Sequence, residues 1–196
     1  MAYLAPLDDQ ALTGLQPVFE RIEAMMGFVP NSLKTMARNR ALFDGFMAMI
    51  EPLMGPQARL DAGLRAMISH VASRAAGCRY CMAHTAHSAA RAGVDLAKLN
   101  AVWDYERDPA FTQAERAALR VAQGASTVPN MVSDDDMHAL KSHFSDDEII
   151  EIVGLIAAFG FLNRWNDTLA TQIEEVPGRF AAQALAGAGW RAGKHE

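Results

Sequence analysis

The chain has 196 residues, 51% of them hydrophobic, with 11 methionines and a formal net charge of −5; that length suits one domain over residues 1–196, or two small helical halves sharing a core. No basic cluster offers a footprint for nucleic acid or an anionic membrane, and no apolar run reaches the ~18–20 residues that span a bilayer. The start, Met1-Ala2-Tyr3-Leu4-Ala5-Pro6, lacks the basic-then-apolar pattern of a secretion signal, so a cytoplasmic location is expected.

Taken in chain order, nearly every segment reads as helix. Pro17 suits a first helical turn, and Val18 to Met26 follows it until Gly27-Phe28-Val29-Pro30 breaks the pattern. Asn31 or Ser32 can cap the next helix, through Arg38. Ala41 to Met54 carries an apolar stripe of Leu42, Phe43, Phe46, Met49, Ile50 and Leu53, ended by Gly55-Pro56. Leu60 to Ala76 continues as helix. Gly77 interrupts it, and a further helix runs from about Cys78 to Ala92, stopped by Gly93.

Later starts carry capping signals. Thr112 with Glu115, and Ser145 with Glu148, fit the capping box. Ser133 is followed by Asp134, Asp135 and Asp136, which suit the positive end of a helix dipole. No stretch alternates long enough to suggest a strand. The expected fold class is therefore all-α, with a Cys-x-x-Cys core at about 56–95 and a helical second half at about 110–175. A weak internal repeat, shifted by 85 positions, sets Cys78-Arg79-Tyr80-Cys81 against Asn163-Arg164-Trp165-Asn166 and Ala66 against Glu151.

The chemistry concentrates in Cys78-Arg79-Tyr80-Cys81-Met82-Ala83-His84-Thr85-Ala86-His87. Two cysteines are too few for a secreted disulfide framework, and at this spacing they point to redox chemistry or a metal. Three residues apart on a helix, the thiols are close enough to form a disulfide. A thiol near a helix N-terminus has its thiolate favoured by the dipole, and the thiolate is the attacking species. His84, three residues after Cys81, is placed to take its proton. Zinc held by Cys78, Cys81, His84 and His87 fits less well. Each three-residue step turns a helix ~60° short of a full turn, about 180° by His87, so an unbroken helix cannot aim all four at one ion. Tyr80 packs between helices or hydrogen-bonds near the thiols. The Asn163-Arg164-Trp165-Asn166-Asp167 cluster reads as a polar knot in an apolar helix, with a site-lining role as the alternative.

These residues resemble the superfamily of alkylhydroperoxidase D and carboxymuconolactone decarboxylase. The match runs from Leu60-Asp61-Ala62-Gly63-Leu64-Arg65 through the Cys-x-x-Cys helix to Ala90-Arg91-Ala92-Gly93-Val94. The second half looks like the peroxidase-related branch, in Ala114-Glu115-Arg116-Ala117-Ala118-Leu119, Val128-Pro129-Asn130 and Phe161-Leu162-Asn163-Arg164-Trp165-Asn166-Asp167-Thr168.

The resemblance implies a thiol-dependent peroxidase that reduces hydrogen or organic peroxides. Cys81 would be the peroxidatic thiol and Cys78 the resolving one, although helix position alone favours Cys78 as the more acidic. It also implies an external thiol reductant, no organic cofactor or metal, and a homo-oligomer, a trimer or hexamer built from dimers. Two positions depart from the family pattern. The usual histidine falls on Thr85, so His84 is a substitution, and the relay glutamate falls on Ala66. Glu151, Glu148, Tyr80 and His87 are the candidates to complete or line the site. A decarboxylase-like lyase and a non-catalytic redox sensor are the alternative functions.

Overall fold

The computed structural model describes residues 2–196, and among them there are ten α-helices and no strand, which makes the chain all-α. The helices are α1 (Gln16–Met26), α2 (Asn31–Met36), α3 (Arg40–Met54), α4 (Ala62–Ala75), α5 (Arg79–Arg91), α6 (Leu96–Ala101), α7 (Gln113–Ala125), α8 (Asp134–Lys141), α9 (Asp146–Leu169) and α10 (Glu175–Ala184). No helix among the described residues is long and apolar enough to cross a membrane.

The centre is the hairpin of α4 and α5. Gly77 turns it at φ 79°, a left-handed conformation that costs glycine no side-chain clash. α5 turns Ala83, Ala86 and Ala89 inward, all fully buried, and these one-carbon side chains let α4 and α10 lie close on either side. The opposite face of α4 sinks Ile68 and Val71 into a core shared with Leu119 of α7 and Ile152 and Leu155 of α9. Fully burying each such side chain contributes about 1.5–3 kcal/mol. Phe19, Ile22, Leu33, Met36, Phe43 and Phe46 join α1, α2 and α3 in a separate cluster at the flank of α9. The outer side of α9 leaves Ile150 and Val153 exposed.

The helix starts follow the capping chemistry. Thr112 with Glu115 and Ser145 with Glu148 form complete capping boxes, and Ser133 forms a third with Asp136, whose shorter carboxylate also reaches back. Three starts differ from expectation: α4 begins at Ala62, capped by Asp61, and not at Leu60. Pro30, not Asn31 or Ser32, precedes α2, and Asn31 is its first helical residue. Cys78 stands just outside α5 as its N-cap, its sulfur accepting from the Cys81 N–H at 3.3 Å. The two halves of the weak repeat also differ in place: Cys78-Arg79-Tyr80-Cys81 begins a helix, whereas Asn163-Arg164-Trp165-Asn166 lies within α9.

Beyond α10 the chain returns across the start of α5. Trp190 Nε1 donates to Arg79 O at 3.1 Å, and an Arg79 guanidinium nitrogen donates to Arg191 O at 3.1 Å. The Ile173 N–H donates to His195 O at 2.9 Å, and Lys194 pairs with Asp167 at 2.8 Å.

Candidate active site

Along one face of α5 the residues Cys81, His84, Thr85, Ser88 and Arg91 recur at helical spacing and, with the C-cap Ala92, line a cavity of about 410 Å³. Ala62, Arg65, Ala66 and Ser69 of α4 form the adjoining wall. Methionines and large apolar residues of α1, α3 and α9 cover the rest. Cys81, 2% exposed, lines this cavity; Cys78, fully buried, does not. Cys78 packs behind it with Tyr80, against Leu162 and Ile173. Both sulfurs are free thiols.

The environment of Cys81 does not favour a resting thiolate. Burial pushes its pKa well above the usual range, the hydrogen bond and charge of Cys78 add to this, and the Asn166 side-chain amide opposes it from 3.5 Å. The Asn cluster on α9 thus contributes a residue to the site. Asn163 sits deeper, its amide 3.5 Å from Ala72 O, where it ties α9 to α4.

A thiol held protonated needs a base to react as a thiolate, and the imidazole of His84 lines the same cavity. Its Nε2 lies 2.6 Å from Glu174 Oε2, with both side chains 11% exposed. A carboxylate can only accept, so the Nε2 proton faces Glu174, and it is Nδ1 that carries the lone pair in the neutral form of the ring. Glu174 is itself held from several sides. Its Oε1 accepts from the Tyr80 O–H at 2.9 Å and from the Asn31 backbone N–H. Burial alone would raise the Glu174 pKa. The His84 charge and hydrogen bond, with the Asn31 amide, outweigh it and hold the carboxyl below the ordinary range. Tyr80 is pushed the other way, well above 10, by burial and by Glu174, so it stays a donor. It also accepts from the Ser32 N–H at 3.3 Å and stacks on the His84 ring at 4.2 Å.

The structure therefore brings Cys81, Cys78, His84 and Tyr80 together and supplies a carboxylate that the sequence reading had not singled out. Glu174 lies in the irregular segment before α10, 90 residues after His84, and no local pattern marks it. Glu151 is elsewhere. Its carboxylate accepts from the backbone N–H groups of Arg59 (2.9 Å) and Leu60 (3.2 Å), closing the loop before α4. Glu148 is occupied by its capping box. His87 lines the cavity one turn beyond His84, against Phe28 and Phe180; burial, then Arg91 and His84, lower its pKa.

Thr85, on the position of the family histidine, donates to Cys81 O at 2.7 Å and lies 2.9 Å from His70 Nδ1 on α4. His70 is a second residue the sequence reading missed: burial, with Arg74 adding to it, pulls its pKa down to about 4. Among the described residues no three His, Cys, Asp or Glu side chains converge to hold a metal.

With this geometry, the comparisons with known proteins agree on a family. The carboxymuconolactone decarboxylase family matches residues 40–124, the stretch holding the α4–α5 hairpin. The debrominase Bmp8 superposes with a TM-score of 0.84 at 34% identity, over 92% of this chain and 96% of that one. A cysteine-to-alanine variant of Bmp8 in complex with 2,3,4-tribromopyrrole matches at 33% identity, also with a TM-score of 0.84 and over the same shares of both chains. A peroxidase-related protein from Silicibacter sp. TM1040 gives 0.74 at 26% identity, over 89% of this chain and 90% of its own. The Escherichia coli K12 protein YnjA is 29% identical over 124 residues, 63% of this chain and 66% of YnjA. The chain belongs to the alkylhydroperoxidase D and carboxymuconolactone decarboxylase superfamily.

Proposed function

We propose that the protein is a dithiol-dependent peroxidase for organic hydroperoxides. The observation that carries this reading is the position of Cys81, at a largely apolar cavity sized for a small organic molecule (~300–1,000 Å³) that His84 of the half-buried His84–Glu174 pair also borders. Hydrogen peroxide would need no such cavity.

In the reading proposed, His84 Nδ1 takes the Cys81 thiol proton, and Glu174 stabilises the imidazolium that results. The Cys81 thiolate attacks the distal peroxide oxygen; an S–O bond forms, the O–O bond breaks, and the leaving alkoxide takes the proton back as an alcohol. Cys81 is then a sulfenic acid. The Cys78 thiol attacks its sulfur, a disulfide forms, and water leaves. An external dithiol restores the pair by exchange.

The test is consumption of cumene hydroperoxide with dithiothreitol as reductant. Steady turnover by the wild type, lost in Cys81→Ser, supports the reading; no turnover under any dithiol would end it. A second reading, reductive removal of halogen from an aromatic ring, is favoured by the similarity to Bmp8. The net reaction, aryl bromide plus two thiols giving arene, disulfide and hydrogen bromide, uses the same pair. Bromide release from a bromopyrrole, with no peroxide consumption, would put it first.

A further inference from the structure

The cavity wall has a charge pattern that the thiol chemistry does not use. No Asp or Glu lines it, in a chain whose net charge is −5, while two arginines do: Arg65 on α4 and Arg91 on α5. Among the described residues neither guanidinium has a carboxylate within 4.0 Å, whereas seven of the other arginines and lysines do, Arg59 and Lys98 among them. Arg65 donates from one terminal nitrogen to Leu53 O and Gly55 O, at 3.1 and 3.3 Å, and its Nε is buried without a partner. Arg91 donates to Met25 O at 3.1 Å. These carbonyls belong to the ends of α3 and α1. They hold the two cations in place, and a guanidinium has five N–H donors, so most remain free.

Cys81 and Arg91 sit ten residues apart on one helix, about 15 Å along its axis. Between them α5 lines the cavity with His84, Thr85 and Ser88, while Met26, Met47, Ile50 and Leu162 contribute apolar surface to the same cavity. The cavity thus offers a thiol near the start of α5, a largely apolar opposite wall, and two cations without a carboxylate partner, Arg91 at the end of α5 and Arg65 near the start of α4, the facing end of the hairpin.

We propose that the cavity takes an amphiphilic monocarboxylate, its carboxylate held by Arg65 and Arg91 and its electrophilic atom at Cys81. Under the peroxidase reading of Cys81, on which this rests, the substrate class is the hydroperoxides of aliphatic carboxylic acids. Guanidinium and carboxylate match as planar, charge-assisted partners. Arg65 is half-buried and Arg91 exposed, so the charge of Arg65 is the less screened by water.

Two measurements separate this inference from the reaction. Calorimetric titration of Cys81→Ser protein with laurate and with dodecanol, below their micelle thresholds, reads the anchor alone. Laurate is expected to bind about tenfold or more tightly than dodecanol, as a charge-assisted contact of about 1.5–3 kcal/mol implies. Adding Arg65→Gln and Arg91→Gln should remove that difference without weakening dodecanol, and lysine at both positions should restore part of it. Equal binding of acid and alcohol, no binding of either, or a laurate affinity untouched by the glutamine pair would overturn the inference. Turnover of linoleate hydroperoxide against its methyl ester then reads the reaction: the acid should show the lower KM in the wild type and lose that advantage in the glutamine pair. Selective laurate binding with no peroxide consumed would leave the anchor standing and remove the peroxidase reading.

Discussion

Glu174 Oε2 lies 2.6 Å from His84 Nε2, although 90 positions separate the two in the chain. The contact joins the Cys-x-x-Cys helix to the segment before α10, and Tyr80 and Asn31 close around the same carboxylate. Ala66, where the family carries its glutamate, is 3% exposed and packs against Ala83, Ala86 and Ala89. Glu174 thus gives His84 a carboxylate partner from a part of the fold that Ala66 does not occupy.

The first prediction separates the two carboxylates. A positioned proton-transfer group contributes about 10²–10⁴ in rate, and Glu174 acts through His84, so Glu174→Gln should slow peroxide turnover by part of that, about 10–100-fold. It should also move the acid limb of the pH–rate profile, and Glu174→Asp should recover part of the rate. Glu151→Gln should instead lower stability by about 1 kcal/mol, about 2–4 °C in Tm, through its contacts to the Arg59 and Leu60 amides, with turnover unchanged. The opposite pattern in melts and kinetics would return the relay to Glu151.

The thiols have distinct places, so their variants should fail differently. With Cys78→Ser, Cys81 at the cavity should still react once with a peroxide and stop as a sulfenic acid that dimedone traps. Cys81→Ser should give no adduct. An adduct on Cys78 in the wild type would exchange their roles.

Asn166 is the donor that opposes the raised Cys81 pKa. Asn166→Leu removes that donor without adding a charge. The pKa should rise further, and alkylation of Cys81 at pH 8 should slow about tenfold, as expected for a hydrogen bond to a charged group. An alkylation profile matching the wild type would show that the 3.5 Å contact does not bear on the thiolate.

His70 ties stability to pH. Unfolded, it titrates near 6.5; folded, burial holds it at about 4. Between those values the unfolded chain binds the extra proton, so stability is full above pH 6.5 and declines as pH falls toward 4, by up to about 3 kcal/mol. His195, also lowered by burial, adds in the same direction. Thermal melts from pH 7 to 4.5 should show the loss, and His70→Gln should flatten it. A wild-type Tm constant across that range would count against this assignment.

The fold class, the capping boxes at Thr112 and Ser145, and the placing of the thiols at the start of a helix were readable because each depends on neighbours within one or two turns. The carboxylate was not. Ile173-Glu174-Glu175 carries no periodicity, and its role depends on α10 folding back beside α5, a contact across 90 positions that a single sequence does not encode locally. Asn31 misled for a related reason. It resembles an N-cap, but its side chain donates to Gln172 O at 3.0 Å and its amide to Glu174, so tertiary partners displaced the local role. Asn166 was legible as part of a polar knot within an apolar helix, though nothing in the sequence aimed it at Cys81.

The returning C-terminal segment has a kinetic consequence. It lies across the start of α5, with Trp190 and Arg191 bonded to Arg79, and Cys78 beside it, packed against Leu162 and Ile173, has no exposed surface. In the proposed cycle a fresh disulfide would therefore meet the outside through the same doorway that admitted the oxidant. Alcohol must depart before the reductant can come in, so the two half-reactions take turns at one entrance. Initial rates should then give parallel double-reciprocal lines, with each reactant inhibiting the other at high concentration. A slender dithiol would be served better than a bulky protein donor.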